Sequence, residues 1–120
     1  MRLDKLVSAA VAALEDIKAR DIVVLDVRRL TALFDKVIVA SGDSTRQNKA
    51  LADSVQQKVK ALNATVHGVE GQENGEWILV DLGAVVVHIM QPAIRQYYNL
   101  EELWGGEAAL PSRRAAGMRP

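Results

Sequence analysis

The stretch Trp77-Ile78-Leu79-Val80-Asp81-Leu82-Gly83-Ala84-Val85-Val86-Val87-His88-Ile89-Met90 decides the fold. Two apolar runs flank Leu82-Gly83, which is the pattern of a β-hairpin closed by a tight turn. With Leu82 and Gly83 as the loop, Val80 pairs with Val85, Leu79 with Val86, Ile78 with Val87 and Trp77 with His88. Side chains alternate faces along a strand. One face of the hairpin is then Ile78, Val80, Val85, Val87 and Ile89, a surface suited only to a core. The other is Trp77, Leu79, Val86, His88 and Met90, equally apolar but carrying an indole N–H, an imidazole and a thioether. Such a face is either covered by a helix or offered to a partner.

Upstream of the hairpin, Gly71 to Glu76 is a polar turn, and Thr65-Val66-His67-Gly68-Val69 reads as a short strand before it. Ser44-Thr45-Arg46-Gln47 has the form of a capping box, with Ser44 as N-cap. The helix behind it carries Leu51, Ala52, Val55, Val59 and Leu62 on one stripe and ends near Asn63. Residues 22–27 and 36–40 are β-branched apolar runs of strand length, joined by a loop over 28–35. Leu3, Leu6, Val7, Ala10, Val11, Leu14 and Ile17 recur at helical spacing, so residues 3–19 read as an amphipathic helix.

Downstream, Pro92 suits the first turn of a helix running through Arg95 to Tyr98, and Asn99 to Trp104 adds a further turn. From Gly105-Gly106 onward, with Pro111, Pro120 and few large apolar side chains, the sequence reads as a disordered tail. The order is helix, two strands, helix, three strands, helix. It predicts a single α/β domain over residues 1–104, a mixed five-stranded sheet with flanking helices, followed by the tail at 105–120.

Composition agrees with one globular domain: 120 residues, 49% hydrophobic and 25% charged. The absence of cysteine excludes a disulfide framework, a cysteine nucleophile and cysteine-ligated metal. The N-terminal residues begin an amphipathic pattern rather than a continuous apolar run, and no stretch is long enough to span a bilayer, so a cytoplasmic protein is expected. Net charge is zero but unevenly spread: residues 1–63 hold 11 Lys/Arg and 8 Asp/Glu, whereas residues 64–104 hold Arg95 against six acidic residues. An acidic second half does not suit phosphodiester, whose binding depends on cations. It suits a basic protein surface.

Ser41-Gly42-Asp43-Ser44 sits between a strand and a helix N-terminus, where backbone amides favour anions. A strand, a Gly-Ser turn and a helix also open nucleotidyltransferases, so a nucleotide-binding or nucleotidyltransferase enzyme using the Ser44 turn is the alternative reading. That chemistry clamps metal ions with closely spaced carboxylates, and the sequence has no Asp-x-Asp, Asp-x-Glu or Glu-x-Asp. Asp43 also puts a negative charge where phosphate would bind. His67 and His88 lie on different strands without an i,i+4 partner, so no metal ligation is expected. No catalytic residue and no cofactor is predicted. Arg28-Arg29 and Arg46 with Lys49 lack an aromatic platform for RNA recognition.

These residues resemble a known family. Gly42-x-Ser44-x-Arg46-Gln47 followed by Leu51-Ala52-Asp53, the hairpin from Glu76 to Met90 with Glu70-Gly71 before it, and Pro92, Arg95, Tyr98-Asn99-Leu100-Glu101 and Leu103-Trp104 are similar to the motifs of the iojap-type ribosomal silencing factors. The resemblance covers residues 3–104. Asp43 departs from it, standing where a small neutral residue is commoner. Membership implies a nucleotidyltransferase-like fold without catalytic carboxylates. It implies binding to the large ribosomal subunit through ribosomal protein fourteen, steric exclusion of the small subunit, and lowered translation in starvation or stationary phase. A minor contact with ribosomal RNA and a homodimer off the ribosome are compatible with it. On the hairpin reading and the resemblance together, the expected partner-binding residues are Glu73, Trp77, Asp81, Leu82, His88, Met90, Tyr98, Leu100, Leu103 and Trp104.

Overall fold

The apolar stripe that opens the chain forms α1 (Leu3–Asp16), burying Leu6, Ala9, Ala10, Ala13 and Leu14. The helix ends before the stripe does, because Lys18 turns left-handed at φ 64 and redirects the chain into β1 (Arg20–Asp26). The computed structural model describes residues 2–104 together with the backbone of residues 109–110. Next come β2 (Lys36–Ser41), α2 (Thr45–Ala61), β3 (Gly68–Glu70), β4 (Trp77–Asp81) and β5 (Val85–Met90). They are followed by α3 (Pro92–Tyr98), α4 (Leu100–Trp104) and the two-residue β6 (Ala109–Leu110).

The strands form one mixed sheet in the order β3-β4-β5-β2-β1-β6. Only the central β2–β5 pair is parallel; the other pairs are antiparallel. Residues 2–104 contribute the five mixed strands expected, and β6 adds Leu110 opposite Val24 and Ala109 opposite Leu25 at the otherwise free edge of β1. The rest of the expected tail, 105–108 and 111–120, lies outside the described residues. The third strand begins later than Thr65, at Gly68, although the His67 N–H already donates to the Asp81 carbonyl at 2.8 Å.

The hairpin differs from the sequence reading by two residues of register. Ile78 pairs with Ile89, Leu79 with His88 and Val80 with Val87. The turn is Gly83-Ala84, closed by the Leu82 N–H donating to the Val85 carbonyl at 2.8 Å. Gly83 sits at φ 88, in the first central position, where a type II′ turn requires glycine. A slip of one residue would have exchanged the faces; a slip of two leaves them intact. Ile78, Val80, Val85, Val87 and Ile89 accordingly share one core with α1 and α2. On the opposite side, Val23, Leu25, Val27, Val37, Val39 and Met90 form a second core with Leu100, flanked by Phe34, Trp77, Ile94 and Trp104.

Candidate functional site

The second face of the hairpin is only partly roofed. The α3–α4 pair lies over the β1–β2 side through Leu100 and Trp104. Beyond it remains a groove of about 560 Å³ walled by Leu33, Phe34, Leu79, Val86, His88 and Trp104, with His67, Asp81 and Gly83 also lining it. Trp77 and His88 are diagonal neighbours across the β4–β5 ladder. The Trp77 indole N–H donates to His88 Nδ1 at 2.9 Å. An Nδ1 that accepts carries no proton, so the ring is the neutral Nε2–H tautomer. Burial agrees, pushing His88 down from 6.5 to about 4 because a charged imidazolium would lose its hydration.

Aromatic contacts extend the rim. The Trp77 and Tyr98 rings lie 5.0 Å apart, Tyr97 meets Tyr98 edge-on at 5.0 Å, and Phe34 meets Trp104 edge-on at 5.5 Å. The corner between α3 and α4 is Asn99 at φ 49, a left-handed conformation that asparagine tolerates well. Arg95 fastens that corner. Its guanidinium donates to both Glu101 carboxylate oxygens, at 2.8 and 3.0 Å, and to the buried Ser41 Oγ at 3.1 Å.

The residues expected from sequence fall into three groups. Tyr98 (53%) and Leu103 (68%) are exposed, as is Glu73 in the turn before β4. Trp77, Asp81, His88 and Trp104 are half-buried around the groove. Leu82, Met90 and Leu100 are withheld from solvent, at 4%, 0% and 8% exposure. Their role is a correction to the expectation of direct contact. Leu82 has the parity of Ile78 and Val80 and packs into the α1–α2 core, on the side away from the groove. Met90 and Leu100 pack together in the second core, beneath the rim. Glu73 and Asp81 lie beyond opposite ends of the Trp77 to Val80 run, so the structure does not bring them together.

Reading 28–35 as a loop leaves Leu33 and Phe34 out of the expected site, yet both line the groove. Leu33 is 82% exposed, Leu30 is 55% exposed, and Phe34 packs on Trp104. Three large apolar residues in one short loop were the available signal, since a loop has no core of its own to bury them.

The Ser44 turn is occupied by the chain itself. Ser44 Oγ accepts the Gln47 N–H at 3.0 Å, so the cap forms as expected. The reciprocal bond is displaced by one residue: Gln47 Oε1 accepts from the Asp43 N–H at 2.6 Å. Gln47 Nε2 donates back to the Ile17 carbonyl at 2.9 Å, and Asp43 pairs with Arg20. A Cβ at Gly42 would come within 2.2 Å of Asn48 Oδ1, so any larger residue there would have to displace the buried Asn48 side chain. Among the described residues, no three His, Asp or Glu side chains are grouped to hold a metal ion, and no helix is long and apolar enough to cross a membrane.

By fold and site this is a small three-layer α/β domain with one sheet face sealed and the other left as an apolar, aromatic-rimmed groove. Residues 1–118 match the family described as "Ribosomal silencing factor during starvation". Ribosomal silencing factor RsfS of Chromobacterium violaceum is 52% identical over 120 residues, covering 100% of this chain and 97% of that protein. The protein of the same name from Bacillus subtilis is 36% identical over 105 residues, covering 88% and 89%. A crystal structure of a Chromobacterium violaceum protein superposes with a TM-score of 0.87 at 52% identity, covering 97% of each chain. The chain belongs to the ribosomal silencing factor family.

Proposed function

We propose that this protein is a translational repressor that binds the large ribosomal subunit through ribosomal protein fourteen and sterically blocks joining of the small subunit. Family membership supports the ribosomal part of this reading. The observation that carries the finer part is the open groove beside Trp77 and His88, lined mostly by residues of the acidic stretch 64–104, Asp81 among them. Acidic charge steers encounter with a basic ribosomal protein, and large, partly buried aromatic groups then supply affinity. The action requires bulk and affinity, with no chemical step, and belongs in the cytoplasm of starved cells. Off the ribosome, the exposed Leu33, Tyr98 and Leu103 give a second copy a surface to cover, so self-association competes with ribosome binding.

The test is co-sedimentation. The protein should migrate with isolated large subunits, lose that association when ribosomal protein fourteen is stripped from them, and reduce the joined particle when small subunits are added. Binding that leaves joining untouched would remove the steric mechanism. Binding that survives the stripping would remove the assigned partner.

A further inference from the structure

The groove wall contains one polar hydrogen that the chain leaves unused. Trp77 donates to His88 Nδ1 at 2.9 Å, so the ring proton resides on Nε2. Among the described residues, no acceptor is bonded to that Nε2–H, and the one fully buried side-chain polar atom without a partner is elsewhere, Asn48 Oδ1. His88 Nε2 is therefore not sealed in the interior. It opens where His88 lines the groove, between Leu79, Val86, Phe34 and Trp104. A partner seated against these apolar groups strips water from Nε2, and an N–H desolvated without an acceptor is strongly unfavourable.

We propose that His88 is the specificity-determining residue of this face, donating its Nε2–H to an uncharged oxygen of the docked segment, a main-chain carbonyl. This rests on the ribosome-binding reading above and names the chemistry of the contact. A neutral imidazole brings no positive charge to offset a carboxylate, and Asp81 on the same groove repels one. A lysine or arginine head group cannot accept from an N–H, and is instead suited to Asp81, whose Oδ1 already orders the turn by accepting from the Gly83 N–H at 2.8 Å. The occupant is thus an extended segment of a basic protein, with a carbonyl over His88 and a cation near Asp81. The surplus of five acidic over basic residues across 64–104 has the matching sign. Trp77 is a positioning residue here, since its indole selects which imidazole nitrogen carries the proton.

Two substitutions separate the ring's two nitrogens. In His88→Asn the amide oxygen can stand near the Nδ1 position and accept from Trp77, but nothing donates from the Nε2 position. In His88→Gln the amide N–H can reach toward the Nε2 position, while the acceptor for Trp77 is lost. Each full-length variant is titrated against isolated large subunits beside the parent, with melting temperature measured in parallel. Nitrogen-15 spectra of the parent's imidazole report the tautomer without any ribosome. His88→Asn should melt near the parent and bind about tenfold or more weakly, the weight of one lost hydrogen bond of about 1.4 kcal/mol. His88→Gln should retain more of the binding than His88→Asn, and the spectra should put the proton on Nε2. Undiminished binding by His88→Asn, equal losses in both variants, or a proton on Nδ1 would each overturn the assignment. Failure of the parent itself to bind subunits would overturn the ribosome-binding reading, and this assignment with it.

Discussion

Ile78, Val80, Val85, Val87 and Ile89 on one face of the hairpin are all at 0% exposure, whereas Trp77, Leu79 and His88 on the other face keep part of their surface in solvent. The two faces come from the same strands and are similarly apolar. What separates them is their cover. The first lies under α1 and α2, helices of 14 and 17 residues that cross the sheet with continuous apolar stripes. The second meets α3 and α4, of 7 and 5 residues, which cover β1, β2 and the Met90 end of the hairpin but leave Leu79, Val86 and His88 lining a groove. The open face is also the one that carries hydrogen-bonding side chains. Apolar character therefore does not distinguish a core from a binding surface in this chain; helix length and the location of polar atoms do.

The sharpest way to break this comparison is to truncate one residue on each face. Ile78→Ala should destabilise the fold by about 2–5 kcal/mol, as a fully buried Ile cut to Ala does. Leu82→Ala should behave like it, lowering the denaturant midpoint while the folded fraction still binds large subunits. If Leu82→Ala instead folds like the parent and fails to bind, the assignment of Leu82 to the closed face is wrong.

Acid provides the next largest effect. The folded pKa of His88 is depressed from 6.5 to about 4, so between those values the unfolded chain takes up a proton that the folded chain refuses. Stability should therefore fall as pH drops from 6.5 to about 4, by up to about 3 kcal/mol, and His88 contributes no further change below that window. Asp26, held well below its ordinary 3.8 chiefly by its hydrogen bonds to Arg28, loses stability only under more acid conditions. Denaturant titrations at several pH values test this. A His88→Gln variant with the parent's slope between pH 6.5 and 4 would show that another group is responsible.

On the open face, Trp77→Ala and Tyr98→Ala should reduce binding to isolated large subunits at least about tenfold, or 1.4 kcal/mol. Tyr98→Ala should melt close to the parent, whereas Trp77→Ala also gives up its bond to His88 and should melt somewhat lower. Normal binding by both variants would remove the rim from the site. Ser44→Ala should cost about 1 kcal/mol of stability through the lost cap. It should change no nucleotide chemistry, because the purified protein with magnesium should transfer nothing from any nucleoside triphosphate. Smallest of all, Glu73→Lys, at an exposed turn residue, should weaken binding mainly at low salt, where screening is least.

Much of the fold was legible because periodicity 2 and periodicity 3.6 are strong signals in the hairpin and in α1 and α2. The hairpin register was missed by two residues, since Leu82-Gly83 and Gly83-Ala84 are both plausible loops and only backbone geometry shows Gly83 in the first position. Leu82 was misplaced for the same reason: regarded as a turn tip, it lost the parity that pairs it with Ile78 and Val80. Met90 and Leu100 follow the correct pattern but are hidden by the Asn99 corner, a tertiary event that no strand alternation encodes. Leu33 and Phe34 escaped because the loop holding them pairs in space with Trp104, some seventy positions away in the chain.

The Arg95 clamp has a consequence for the timing of recognition. One guanidinium ties α3 to α4 through Glu101 and ties both to the end of β2 through Ser41. Arg95 and Ser41 are nearly inaccessible to solvent, at 8% and 2% exposure. The corner that carries the aromatic rim is thus tied down before any partner arrives, so the backbone there has less disorder to surrender on contact. Because dissolved ions screen buried pairs poorly, the rim should keep its shape in brine even as the surface charges that guide the approach fade. Salt should therefore slow arrival far more than it hastens departure.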